Sequence, residues 1–255
     1  MFAAGCTGVT AGARGDDADL TADATTRQLA EARLKDAHEH LLHGNDAMAR
    51  GDLQAAIDAY TDAVRLDPTL KDAWLNRGIA HMGDHHFSTG IGDFAQALEL
   101  DDKDPAIYFN LGNAYTQVAY YAQAISCYSK ALELDPRHIG ALNNLGNTYA
   151  ALYRWDDAIA THERFIALFP DRAEGYMNLA SAHEGRGDSV EAETLYKKAI
   201  ATDPTLAMPY YAIADMLFHQ QRLPEARTYF EDFLARSSQD SDLIRKAQSR
   251  VQRIP

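Results

Sequence analysis

The chain has 255 residues, 46% of them hydrophobic and 24% charged, a composition that supports a sizeable buried core and excludes the disordered and membrane-spanning classes. Its 24 Lys and Arg stand against 37 Asp and Glu, and a formal charge of −13 repels a polyphosphate backbone, so nucleic acid is a poor partner. No run approaches the ~18 consecutive apolar residues that a membrane-crossing helix needs.

Residues 1–24, MFAAGCTGVTAGARGDDADLTADA, carry almost no apolar periodicity and predict a flexible tether before a helix that starts near Thr25 or Thr26. Within it, Ala3-Ala4-Gly5-Cys6 places small residues directly before a cysteine that a polar linker follows. This resembles the processing site of a bacterial lipoprotein, which implies acylation of Cys6. The charged and apolar parts of a signal peptide would then lie upstream of Met1. The alternative is a cytoplasmic chain with a chance cysteine in its leader. Cys127 lies in a segment of different character, and neither cysteine reads as half of a structural bridge.

From residue 25 to 240 the sequence repeats with a period of 34 residues. Leu66-Asp67-Pro68, Leu134-Asp135-Pro136, Leu168-Phe169-Pro170 and Thr202-Asp203-Pro204 mark the phase, with Leu100-Asp101-Asp102 in the gap. Six units follow, at 37–70, 71–104, 105–138, 139–172, 173–206 and 207–240. Small residues fill two columns: Gly44, Gly78, Gly112, Gly146, Ala180 and Ala214 in one, Ala56, Gly90, Ala124, Ala158, Ala192 and Ala226 in the other. Two antiparallel helices approach closely only where side chains are short, so each unit predicts a helical hairpin crossing at these columns. Bulky residues surround the crossing, among them Tyr60, Phe94, Tyr128, Tyr196 and Phe230.

This pattern, with segments such as Tyr108-Phe-Asn-Leu-Gly-Asn-Ala-Tyr115, resembles the tetratricopeptide repeat. The resemblance implies an all-α, right-handed superhelical solenoid of antiparallel helix pairs. Each helix of about 14 residues spans about 21 Å and cannot bury its apolar face alone, so stacking is obligatory. The last stretch, 241–255, has Leu243, Ala247 and Val251 at helical spacing and predicts a capping helix. The charge is uneven: residues 37–240 hold 30 acids and 16 bases, whereas Arg245, Lys246, Arg250 and Arg253 follow Asp242 with no further acid.

The second repeat departs from the pattern, with Arg77 in a leucine column, His81 in a tyrosine column, and Gly90 and Gly92 inside its second helix. His81 and His85, four apart, are weak candidates for a shared metal ion, but no carboxylate or cysteine stands at a regular ligand spacing beside them. No Ser-His-Asp order, phosphate loop or CxxC motif is present, six repeats plus a cap leave no residues for a second domain, and no cofactor is implied. The chain reads as a non-catalytic protein.

The functional signal is asparagine. Asn76, Asn110, Asn144 and Asn178 recur at the repeat period on the first helix of four successive hairpins, and Asn45, Asn113 and Asn147 lie one turn further along. In tetratricopeptide proteins that helix lines a concave groove, so the resemblance implies that these amides grip an extended peptide. The cationic positions of the carboxylate clamp known in some of these domains hold Leu41, Ala106 and Asn110 instead, which argues against recognition of an acidic chain terminus. The resulting reading is a scaffold for other proteins or extended peptide segments, in a bacterial envelope, touching membrane only through lipid at Cys6. The resemblance extends to outer-membrane tetratricopeptide lipoproteins such as pilotins, facing the periplasm. A cytoplasmic adaptor of the same fold and a metal-binding protein built on the second repeat are the alternatives.

Overall fold

Every element described is a helix, and each repeat supplies two of them. The computed structural model describes residues 16–237 and 241–254, so Cys6 lies outside the described residues. The chain divides into two compact units, Met1–Asp101 and Asp102–Pro255.

The first unit contains α1 (Asp16–Ala49), α2 (Leu53–Leu66), α3 (Lys71–Gly83) and α4 (Phe87–Leu100). Helices α1 and α2 pack as one hairpin, α3 and α4 as another, and α2 also packs on α3. Helix α1 begins at Asp16 rather than near Thr25 or Thr26, which shortens the tether expected from the leader. Alanine, the strongest helix former, recurs along α1 through a stretch with no apolar stripe.

The second unit stacks α5 (Pro105–Gln117) on α6 (Tyr121–Leu134), α7 (Ile139–Ala151) on α8 (Trp155–Leu168), α9 (Ala173–Arg186) on α10 (Ser189–Thr202), and α11 (Ala207–His219) on α12 (Leu223–Arg236). The first helices also touch directly, α5 with α7 and α7 with α9, and so form a continuous wall. Helix α13 (Asp242–Arg253), capped by Ser241, covers α12 through buried Ala247 and Ile254. Arg250 of α13 pairs with Asp215 and lies over the rings of Phe218 and Phe230. The basic tip therefore holds itself down with one of its four cations.

The Leu-Asp-Pro phrase works through its aspartate. Asp67, Asp135 and Asp203 each end a second helix in extended conformation, and each accepts a hydrogen bond from the backbone N–H two residues on, at 2.9, 3.0 and 2.9 Å. Proline then prevents the helix from continuing. At the crossing points, the small column is a steric requirement. A Cβ on Gly44, Gly78 or Gly112 would lie 2.3, 2.6 or 2.6 Å from the ring of Tyr60, Phe94 or Tyr128, respectively. Gly90, which the sequence places both in the small column and among the departures of the second repeat, faces the carbonyl of Gly78 at this crossing, whereas a Cβ on Gly92 would meet nothing.

Candidate functional site

The asparagines are not free hooks on a smooth wall. Most are tied to their neighbours by hydrogen bonds. In the first unit the Tyr60 hydroxyl donates to Oδ1 of Asn45 at 2.8 Å, and Nδ2 of Asn76 donates to the same oxygen at 3.0 Å. The second unit repeats the arrangement. Tyr128 donates to Oδ1 of Asn113 at 2.8 Å, and Nδ2 of Asn144 reaches that oxygen, also at 2.8 Å. Each knot joins the two helices of one hairpin to the first helix of the next. Burial pushes the Tyr60 hydroxyl up to about 12 and raises Tyr128 as well, so both remain donors at any physiological pH.

The row predicted from sequence therefore splits by role. Asn45, Asn76, Asn113 and Asn144 spend part of their bonding capacity on the fold. Asn110 donates to the Ala106 carbonyl within its own helix at 2.9 Å. Asn178 breaks the pattern. Its Nδ2 donates to Oδ1 of Asn143 at 2.6 Å instead of reaching the residue in the column of Asn45 and Asn113, which here is Asn147. Asn147 is exposed and its side chain has no hydrogen bond in the structure.

Two differences accompany this: Asn143 stands where the preceding repeat has Phe109, and the ring one helix away has changed. In the aromatic column that holds Tyr60 and Tyr128, the fourth repeat has His162. The imidazole sits on Gly146 as the phenol of Tyr128 sits on Gly112, with a Cβ on Gly146 only 2.4 Å from the ring. It is 1% exposed, its Nδ1 is sealed from solvent without a hydrogen-bond partner, and burial lowers its pKa to about 4. A hydroxyl that would knot Asn147 to Asn178 is missing. His162 is absent from the sequence-predicted site, although the repeat places it in register with tyrosines that donate hydrogen bonds.

The second repeat is also more organised than its sequence suggests. Arg77 grips Asp93 with two hydrogen bonds, at 3.0 and 2.7 Å, and Asp93 is 4% exposed. Nε2 of His81 lies 3.9 Å from the same carboxylate, and desolvation lowers the imidazole pKa. A charge-paired interior thus replaces the leucine and tyrosine of other hairpins. The predicted pairing of His81 with His85 does not form a helical i, i+4 site. Helix α3 ends at Gly83, and His85 adopts left-handed φ of 61° in the turn, with its ring against Phe87. Among the described residues, no three His, Cys, Asp or Glu side chains gather in a metal-binding arrangement. Cys127 is a free, half-buried thiol, which burial pushes up to about 11 and keeps unreactive. No helix among the described residues is long and apolar enough to cross a membrane.

Comparison with known proteins agrees with this architecture. Tetratricopeptide-repeat families match residues 44–84, 105–138 and 143–207. The MamA protein crystal structure is 25% identical and superposes with a TM-score of 0.63, covering 67% of this chain and 93% of its own. A tetratricopeptide repeat protein from Parabacteroides merdae ATCC 43184 reaches a TM-score of 0.73 at 20% identity, over 85% of this chain and 90% of its own. YrrB, described as a TPR protein with an unusual peptide-binding site, gives 0.62 at 19% identity, over 73% and 96%. No curated protein sequence matches the chain. With its period of 34 residues, its glycine-seated rings and its stacked hairpins, the chain belongs to the tetratricopeptide-repeat family.

Proposed function

We propose that this protein is a non-catalytic adaptor that holds an extended peptide segment of a partner protein along its wall of first helices, in the assembly of a bacterial envelope complex. The observation that carries this reading is the row of amides on α5, α7 and α9, in which Asn110, Asn144, Asn147 and Asn178 retain bonding capacity that the fold does not use. An asparagine offers a donor and an acceptor on one short stem, which suits the N–H and C=O of an extended backbone. With neighbouring helices about 10 Å apart and an extended chain rising about 3.3 Å per residue, each rung meets roughly every third ligand residue. The peptide-binding site named for YrrB supports peptide binding by a chain of this fold. Lipid on Cys6 would tether the adaptor to the outer membrane, facing the periplasm, and mass spectrometry of the native amino terminus tests that part.

Asn110 and Asn147 separate binding from folding, because neither contributes a hydrogen bond between helices in the structure. Affinity capture with mass spectrometry identifies the partner. The double variant Asn110→Ala, Asn147→Ala is expected to bind it several-fold more weakly, since each lost bond contributes about 0.5 to 1.5 kcal/mol, with helical content unchanged. Undiminished binding would move the contact surface to the acidic outer faces or to the cationic tip at Arg245, Lys246 and Arg253.

A further inference from the structure

We propose that Asn147, His162 and Asn178 form a polar subsite that takes the hydroxyl of a serine or threonine side chain in the bound segment. The inference rests on the groove reading above and names what one of its rungs selects. Its starting point is a vacancy in a repeated pattern. At the Tyr60 and Tyr128 rungs a phenol hydroxyl donates to one asparagine oxygen, and the next hairpin's asparagine donates to that same oxygen. At the His162 rung the ring has the same seat on glycine, yet it carries no hydroxyl to donate to Asn147. Asn178 has turned away to Asn143, and Asn147 is left exposed and unbonded.

The chemistry of the vacant position follows from its surroundings. His162 is held neutral by burial, so its ring carries one N–H donor and one bare acceptor. Nδ1 is sealed from solvent without a partner, and a buried unpaired N–H is rarer than an under-used acceptor. The tautomer with its proton on Nε2 therefore costs least. That proton can be donated to a hydroxyl oxygen, while the hydroxyl proton goes to Oδ1 of Asn147, as the Tyr128 proton goes to Asn113. A hydroxyl satisfies both partners with one atom. A methyl group in the same place would leave the imidazole donor and the amide acceptor dry and unpaired, which is how a polar site rejects an apolar isostere.

The test uses the purified full chain and a positional-scanning decapeptide library. The parent protein is expected to prefer serine or threonine over alanine or valine at one ligand position by about five-fold, the effect of roughly one neutral hydrogen bond. His162→Tyr restores the hydroxyl from within and should abolish the preference while peptides still bind. Asn147→Ala should abolish it independently, which covers the case of a misfolded tyrosine variant. Library binding without a hydroxyl preference, or a preference that survives both substitutions, overturns the subsite and leaves the groove reading standing. No binding of any peptide overturns both.

Discussion

The rung at Tyr128 and the rung at His162 share a glycine seat and flanking asparagines, and they differ in the ring itself and in two neighbours, Asn143 in place of Phe109 and Ala150 in place of Thr116. At Tyr128 the hydroxyl closes a three-way knot with Asn113 and Asn144, and the first helices of two hairpins are pinned together. At His162 the knot is open, Asn178 bonds elsewhere, and a polar atom is left buried without a partner. A repeat protein can therefore change one rung from structural to available without disturbing the stack, because each hairpin depends mainly on its neighbours. The difference teaches that identical asparagines in one column are not equivalent; the ring and the residues beside it set which amides remain to meet a ligand.

The largest effect that sharpens this contrast is pH dependence. His162 has a folded pKa near 4, below the ordinary 6.5 of histidine, so protonation is favoured in the unfolded chain. Stability is then fully present above pH 6.5 and is lost as pH falls towards 4. The whole shift corresponds to about 3 kcal/mol. Urea titrations at pH 7 and pH 4.5 should show a larger loss for the parent than for His162→Phe, which removes the titrating ring nitrogens. Equal losses in the two proteins would mean that the imidazole is not buried as described. A smaller effect compares the rungs directly. Tyr128→Phe should cost about 1 kcal/mol by opening its knot, whereas His162→Phe at neutral pH should be close to neutral, because no bond is lost. Similar costs at both sites would erase the distinction between knotted and open rungs.

Much of the architecture was legible in the sequence because it rests on steric columns. Gly112 and Gly146 are small for a reason that spacing reveals, since an aromatic or imidazole ring lies on each. The phase of the hairpins was equally visible in Asp67, Asp135 and Asp203, whose side chains act within two residues of themselves. The asparagine row was visible as a row, but its division into bonded and unspent members was not. That division depends on Tyr60, Tyr128 and His162, which lie on a different helix and 15 residues from Asn45, Asn113 and Asn147. Arg77 and His81 read as separate departures from the repeat, and Asp93 does not stand out in the sequence, because only packing brings the two side chains to its carboxylate.

The turns between paired helices were hidden for another reason. Gly51 and Gly187 are left-handed at φ 75° and 100°, as glycine permits, yet His85, Ala119, Tyr153 and Gln221 adopt φ of 61°, 59°, 58° and 62° at the same point of their repeats. There the stacked helices impose a conformation that those side chains do not favour.

The central claim is that the open rung, and not the knotted one, meets the ligand. Side-chain amide resonances of the asparagines report this most directly in a titration of isotope-labelled protein with a peptide selected from the decapeptide library. The account predicts that the NH₂ signals of Asn147 and Asn178 shift on binding while that of Asn113, held by Tyr128, stays in place. Shifts at Asn113 with none at Asn147 and Asn178 would contradict it.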